Sequence, residues 1–444
     1  MSKGLHVIAG ITEMRAAMAA VKPAIPSRST LPVLKCVKIE ANARLYLTGT
    51  DLSVAVKVPV DGAAIENPGS IAVHAQAFHD ILSALGGDEV EMMVDEATTT
   101  LVLSTPSSRI RLQGILADEF PPMETGGAGD IEVTLKSDDF AGMIGKVAYA
   151  ASRDESWPVY TGILVEFSED ELALVATDGY RLSMASAEIE TGALPIQLNV
   201  PAPSMTMLEK LLGKVSRYGP EGEKFILVIR HRPSQQKRLI EEEAKETKET
   251  VSSVGFISKY FEISTQVIDA EFADWRKILP ADGRGVTVTA LADEVLAGLR
   301  LLKVYLPKED GVVYFRVGDG LTLMSQDIEL GAGIHTVQAE HTKSALSAYN
   351  WKYLKEAVSS LGTDQVRFEL DGEQPNNLPI LLRPVGHRRD MSIIMPMRLG
   401  ERLPPDEAEA PILAETPAAA EYRAAPKDNA PSQSTVPSNV GGDE

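Results

Sequence analysis

The sequence predicts an α+β chain built from three repeats of one unit, each with two helices and several short antiparallel strands. Two observations predict it. Three segments align, LYLTGTDL at 45–52, LALVATDG at 172–179 and LTLMSQDI at 321–328, each an alternating Leu strand running into small polar residues and an Asp. The same landmarks then follow each one at similar offsets. A helical pattern comes next (AQAFHDILSAL at 75–85, PSMTMLEKLL at 203–212, WKYLKEAVSSL at 351–361), then an apolar closing segment (EFPPM at 119–123, EFADWRKILP at 271–280, IIMPMRL at 393–399). Asp51 to Phe120 is 69 residues and Asp327 to Met395 is 68; Asp178 to Phe272 is 94, which falls close to the others once a polar island at 231–253 is set aside.

Taken in order, each unit opens with an amphipathic helix: ITEMRAAMAAVK (11–22), SDDFAGMIGKVAYAA (137–151) and ADEVLAGLRLLKVYL (292–306). Ser137-Asp138-Asp139 is expected to cap the second of these. Val54, Val56, Val58 and Val60 alternate strictly, the mark of a half-buried strand. Strands and helices in this order make an α+β plan, not βαβ winding. The units are expected at 1–130, 131–281 and 282–399, with GGAGD at 126–130 as a linker. The island 231–253 is dense in charge and lacks alternation, so it reads as a solvated hairpin or helical insertion. Residues 400–444 read as a disordered acidic tail: in 401–444, seven prolines and nine alanines accompany nine acids and three bases, a composition that cannot bury a core.

Composition narrows the function. A chain of 444 residues with 44% hydrophobic and 24% charged residues has ordinary globular usage. Its net charge of −20 excludes a uniformly basic nucleic-acid coat but not a local basic surface. The lone Cys36 excludes a disulfide framework and a Cys-based zinc site, and fits a reducing cytoplasm. No apolar run is long enough for a membrane span, and the stretch before Thr12 and Glu13 is too short for a signal peptide. There is no Walker loop, no GxSxG and no HExxH, and VGDGL at 317–321 reads as a tight turn. His74 and His79 are five apart, about 140° around a helix, and do not share a face for a metal. Asp51, Asp178 and Asp327 stand one per repeat at strand ends, where an Asp bonds its own backbone in a turn. Without a nucleophile–base pair or a ligand set, no enzyme, cofactor or metal site is expected.

SRSTLPVL (27–34), LTGTDL (47–52), VATDGYRL (175–182), EFADWRKILP (271–280) and MPMRL (395–399), in this order, resemble the bacterial sliding clamps, the beta subunits of replicative DNA polymerase III. The resemblance spans residues 1–399. It implies three similar domains per chain and two chains, head to tail, in a closed ring around duplex DNA. A topological link needs only a modest basic lining, because phosphate contacts position without reading sequence. Bases on the helices that could supply it are Arg15, Lys22, Lys146, Arg153, Lys210, Lys214, Arg300, Lys303, Lys352 and Lys355, and Arg28 stands in a loop where the family has a DNA-touching Arg. Of these, Arg28, Lys146, Arg153 and Lys210 are the chosen DNA contacts. Ile110, Leu112 and Val304 match the family's apolar dimer-interface positions.

The resemblance also implies a pocket between units two and three for short Leu/Phe motifs of polymerase, clamp loader and repair proteins. Tyr160, Thr177, Gly179, Tyr180, Arg181 and Leu182 match one side, Lys277 and Ile278 the base, and Asn350 and Tyr353 the side from unit three. Ile393, Ile394, Met395, Pro396, Met397, Arg398 and Leu399 match the C-terminal strand. Met and Ile suit a groove that adapts to apolar anchors. The chain departs from the family at Ala202 and Pro203, where basic residues are frequent. It departs again at Trp157, where Arg is common and where Trp could stack or simply pack. Lys277, Ala273 and Tyr160 replace Arg, Pro and an aliphatic. These departures keep open an alternative, a clamp-like interaction protein or decoy that binds clamp partners without encircling DNA.

Overall fold

The computed structural model describes residues 4–95, 97–123, 130–189, 195–218, 222–233, 249–279, 285–307, 311–327, 329–386 and 389–398. Most of the expected linker (126–129), the middle of the polar island (234–248), Leu399 and the tail lie outside the described residues.

One plan is used three times. In unit one, strand His6–Gly10 leads into α1 (Ile11–Val21), then a meander of Cys36–Ala41, Leu45–Thr50 and Val54–Val60. Strand Gly69–His74, α2 (Ala75–Ala84) and the closing strands Glu89–Asp95, Thr100–Thr105 and Ser108–Ile115 follow. Unit two repeats this with Ile131–Lys136, α3 (Ser137–Val147), the meander Gly162–Phe167, Glu171–Thr177 and Arg181–Glu188, then Ile196–Pro201 and α4 (Ala202–Tyr218). It closes with Lys224–Pro233, Glu249–Ile257 and Glu262–Gln266. Unit three has Gly285–Leu291, α5 (Ala292–Leu302), the meander Val312–Val317, Leu321–Asp327 and Gly331–Val337, then Ala345–Asn350 and α6 (Trp351–Ser360). Its closing strands are Gln365–Asp371, Ile380–Pro384 and Met391–Ile394. The pairing is antiparallel throughout, as local meanders require.

Helical periodicity decides what each helix buries. α1 turns Ile11, Met14, Ala17, Met18 and Val21 inward, and α6 turns Trp351, Leu354, Ala357 and Val358 inward, a face repeating every three to four residues. Two expected helices are shorter than read: α3 and α5 give way to 3-10 turns at Ala148–Ala150 and Lys303–Tyr305. The expected cap is also displaced. Lys136 occupies the cap position without a side-chain bond, and Ser137 is already helical and buried. Asp138 and Asp139 in the first turn still favour the helix end electrostatically. Side-chain caps occur instead at His74 and Asn350. The polar island's two ends lie on paired strands, with Arg230 opposite Ser253 and His231 opposite Val251, so the chain enters and leaves it as a hairpin. Among the described residues, no helix is long and apolar enough to cross a membrane.

The units are joined by strands. The third meander strand of unit one pairs with the last strand of unit two, Val54 opposite Thr265 and Lys57 opposite Glu262. The third meander strand of unit two pairs with the last strand of unit three, Arg181 opposite Ile394 and Met184 opposite Met391. Two strands of the same kinds remain open at the chain's ends. Gly331–Val337 pairs only with Leu321–Asp327 among the described residues. Ser108–Ile115 is paired along one edge with Thr100–Thr105, but on the other, among the described residues, only Gly114 and Ile115 have partners.

Candidate functional site

The site grows from the turn between the second and third meander strands. The Thr177 hydroxyl donates to the Arg181 carbonyl at 2.6 Å and accepts the Gly179 N–H at 3.1 Å. Asp178 Oδ1 accepts the N–H groups of Tyr180 and Arg181 at 2.9 and 3.0 Å. Asp51 does the same for Ser53 and Val54, both at 2.8 Å, and Asp327 for Glu329 and Leu330, both at 2.9 Å. All three repeat aspartates are therefore turn formers, each with one carboxylate oxygen on its own backbone. Gly179 has φ of +89°, and Leu52 holds the equivalent place in unit one at +79°. No atom lies within 4 Å of a Cβ added at Gly179, so Gly179→Ala is expected to cost only the left-handed strain, about 1–2 kcal/mol, read as a lower denaturant midpoint.

This turn separates two neighbours. Tyr180 is left at the tip, 66% exposed, while its carbonyl accepts the Met395 N–H at 2.9 Å. Arg181 turns inward. Its guanidinium donates to Asp178 Oδ2 at 3.0 Å, to Glu356 and to the Tyr149 carbonyl at 2.6 Å. The Tyr149 and Tyr353 rings lie 5.0 and 4.2 Å from it. A polar seam continues beneath the terminal strand: Lys146 Nζ meets Asp390 at 2.6 Å, the Tyr149 hydroxyl meets Ser392 Oγ at 2.9 Å, and Ser183 Oγ lies 3.1 Å from Ser392 Oγ.

The floor of the site is a buried apolar cluster on the outer face of the unit-two meander and the terminal strand: Leu164, Val175, Leu182, Met184, Phe272, Trp275, Leu381, Met391 and Ile393, with Val159 and Leu279 packed against it. Tyr160 sets its edge against Phe272 with ring centroids 6.3 Å apart. Tyr180, Ile278, Leu378 and Met395 are the exposed apolar side chains around this floor. Arg276 lies over the Trp275 ring at 4.3 Å and pairs with Glu166 at 2.9 Å. Burial works against the Glu166 charge, but Arg276 and Gln197 outweigh it and hold the carboxyl below its usual range.

Several expected pocket residues take other places. Ile394 faces the opposite way from Ile393 and packs in the core of unit three, as alternation along a strand demands. Arg181 is engaged inside the joint, and Asn350 is buried as the cap of α6, accepting the Lys352 N–H at 2.9 Å. Tyr353 stacks on Arg181. Thr177 and Gly179 shape the turn. Lys277 reaches into solvent beside Asp274 at 3.3 Å. Pro396 and Met397 are half-buried, the Met397 N–H donating to the Ala348 carbonyl at 2.7 Å, and Arg398 is exposed. Leu399 lies outside the described residues.

Among the basic candidates, Arg28, Arg153 and Lys210 are exposed. Lys210 and Lys214 border a cavity of about 460 Å³ between α1 and α4, lined also by Ala19, Ala20 and Leu211. Lys146 is already paired with Asp390. Arg15 donates to the carbonyls of Leu82 and Leu85 at 2.8 and 2.7 Å, satisfying the C-terminal end of α2. Ile110 and Leu112 are half-buried on the open-edged strand, packed against the unit-one core, and Val304 is 67% exposed at the far end of the chain.

The family model described as "DNA polymerase III beta subunit, N-terminal domain" matches residues 11–124, and that for the central domain matches residues 134–274. The chain belongs to the DNA polymerase III beta subunit family, the sliding clamps. It is 26% identical over 397 residues to the beta sliding clamp of Synechococcus elongatus, covering 87% of this chain and 97% of that one. To the beta sliding clamp of Pseudomonas aeruginosa it is 27% identical over 403 residues, 89% and 97% of the two chains. A solved P. aeruginosa sliding clamp, bound to griselimycin, superposes with a TM-score of 0.76 at 24% identity, covering 89% of this chain and all of that one.

Sequence reasoning within the clamp family missed most of the floor. Leu164 and Val175 carried a legible signal: GILVEF and ELALVAT are apolar at successive positions, so both faces of those strands are buried. The equivalent clamp strands of unit one are not. There Lys38 pairs with Glu40 at 3.4 Å and Lys57 lies over Tyr46 at 4.5 Å, so the outer face is polar and offers no such floor.

Proposed function

We propose that this chain is a processivity factor with no catalytic chemistry of its own, acting in the cytoplasm without a cofactor. Two copies close head to tail around duplex DNA, a clamp loader opens the ring, and polymerase is tethered through a Leu/Phe motif held between units two and three. The observation that carries the ring is the repeated joint. Twice within the chain, a third meander strand pairs with the closing strand of the next unit, and one strand of each kind is left open at the ends. Pairing Gly331–Val337 of one copy with Ser108–Ile115 of the other makes the same joint again and leaves neither edge open. Ile110, Leu112 and Val304 supply its apolar contacts. Arg28, Arg153 and Lys210 supply the lining toward phosphate, while Lys146 is paired with Asp390. A decoy that does not encircle DNA has no observation in its favour.

The pocket reading rests on an apolar floor with exposed Tyr180, Ile278 and Met395 around it. Met395→Ala and Met397→Ala are each expected to weaken a Leu/Phe-bearing peptide by about 1–2 kcal/mol while the fold survives. Unchanged affinity in both variants, measured by calorimetric titration, would place the pocket elsewhere.

A further inference from the structure

We propose that Trp157 is a specificity-determining contact at the edge of the pocket, an exposed indole on a hydrogen-bonded loop that receives a cationic side chain of the partner peptide. The inference rests on the pocket reading above and adds to it the chemistry of one partner residue.

The chain has three tryptophans, and two are buried: Trp275 at 5% and Trp351 at 6% exposure, against 64% for Trp157. Its indole makes no ring, cation or hydrogen-bond contact among the described residues. A large aromatic side chain left in water is ordinarily a cost, and at an interface it is a common anchor.

The segment that displays it is stiff. Ser152 N–H donates to the Tyr160 carbonyl at 2.8 Å, Tyr160 N–H to the Trp157 carbonyl at 3.0 Å, and Asp154 N–H to Ser152 Oγ at 3.0 Å. Asp154 Oδ1 accepts the Ser156 N–H at 2.9 Å, and Pro158 opens a 3-10 turn just after the indole. The same turn carries Val159, packed on the groove floor, and Tyr160, set against Phe272. Asn199 ties it down through the Val159 carbonyl at 2.8 Å. The Trp157 backbone is therefore already ordered and continuous with the turn that carries Val159 and Tyr160, so binding forfeits little backbone freedom.

Charge selects the occupant. Asp154 and Glu155 stand three and two residues before Trp157 and are exposed, against the single Arg153. The Ser156 N–H holds the Asp154 carboxyl below its usual range, so it stays charged. A phosphate approaching this indole meets two carboxylates, whereas an Arg or Lys meets an aromatic face flanked by negative charge. The geometry favours a basic peptide residue over a nucleotide.

The test uses the full chain and a set of synthetic peptides with one Leu/Phe anchor pair, in which an Arg is moved through the flanking positions. One register should bind about two- to fivefold more tightly than its Ala counterpart, the range for an exposed cation–π contact. Trp157→Ala should erase that gain, Trp157→Phe should keep part of it, and the solvent-exposed Trp157 emission should change on saturation. Equal dissociation constants for every register in the wild type, or a gain that survives in Trp157→Ala, would overturn the inference. So would an emission change produced by a single-stranded oligonucleotide and not by peptide. If the anchor pair binds the wild type and responds to Met395→Ala while Trp157 is silent, only this inference fails. If no peptide binds the wild type, the pocket reading falls and takes this one with it.

Discussion

Val304→Asp is expected to leave each chain folded and to abolish the dimer. Val304 is 67% exposed within the chain, so a charge there costs the isolated fold little. In the proposed ring it lies at the joint, where an unpaired carboxylate must be desolvated at a cost of about 3 kcal/mol or more. A head-to-tail dimer has two such joints, so the cost is incurred twice. Leu112→Asp attacks the other side of the joint, but Leu112 also packs on the unit-one core, so that variant should lose some thermal stability as well. Sedimentation at low micromolar concentration should show monomer mass for both. A Val304→Asp protein that remains dimeric would remove Val304 from the interface.

Arg181→Ala is expected to be the most damaging single change near the pocket. The guanidinium is buried between two tyrosine rings and bonds Asp178, Glu356 and the Tyr149 carbonyl, which come from both units. Removing it strands two carboxylates and a carbonyl, and losing one partner of a buried pair costs about 3–5 kcal/mol. Asp178 and Glu356 keep some access to water, which puts the expectation at the lower end, about 3 kcal/mol. Arg181→Lys keeps the charge but not the planar fork, and should recover only part of the loss. Denaturant unfolding read from Trp275 and Trp351, one on each side of the joint, measures both effects. A loss under 1 kcal/mol for Arg181→Ala would mean that water replaces the guanidinium freely.

The repeat was legible in the sequence because it is written in spacing. Three aspartates at strand ends predicted three turns, and all three bond their own backbones. Which way a side chain faces was harder to read, because that depends on a pairing between segments more than two hundred residues apart. Arg181 lies opposite Ile394, and this register sends Ile393 to the groove floor and Ile394 to the unit-three core. The sequence shows both as adjacent apolar residues in one strand. Asn350 and Ser137 show the same limit at helix starts. Either type of residue can cap a helix, but one helix begins just after Asn350 and the other at Ser137 itself, so Asn350 sits at the cap and Ser137 inside the first turn. Trp157 was an open question of stacking or packing, settled against packing by a loop whose backbone bonds leave the ring outside.

The proposed ring holds DNA by enclosure. The direct measurement is retention of the loaded protein on a nicked circular plasmid, compared with the same plasmid after linearisation, with mass in solution determined alongside. A ring should be a dimer that stays on the circle at a salt concentration that strips ordinary phosphate contacts, and should slide off once the DNA is cut. A monomer, or equal retention on circular and linear DNA, would contradict it.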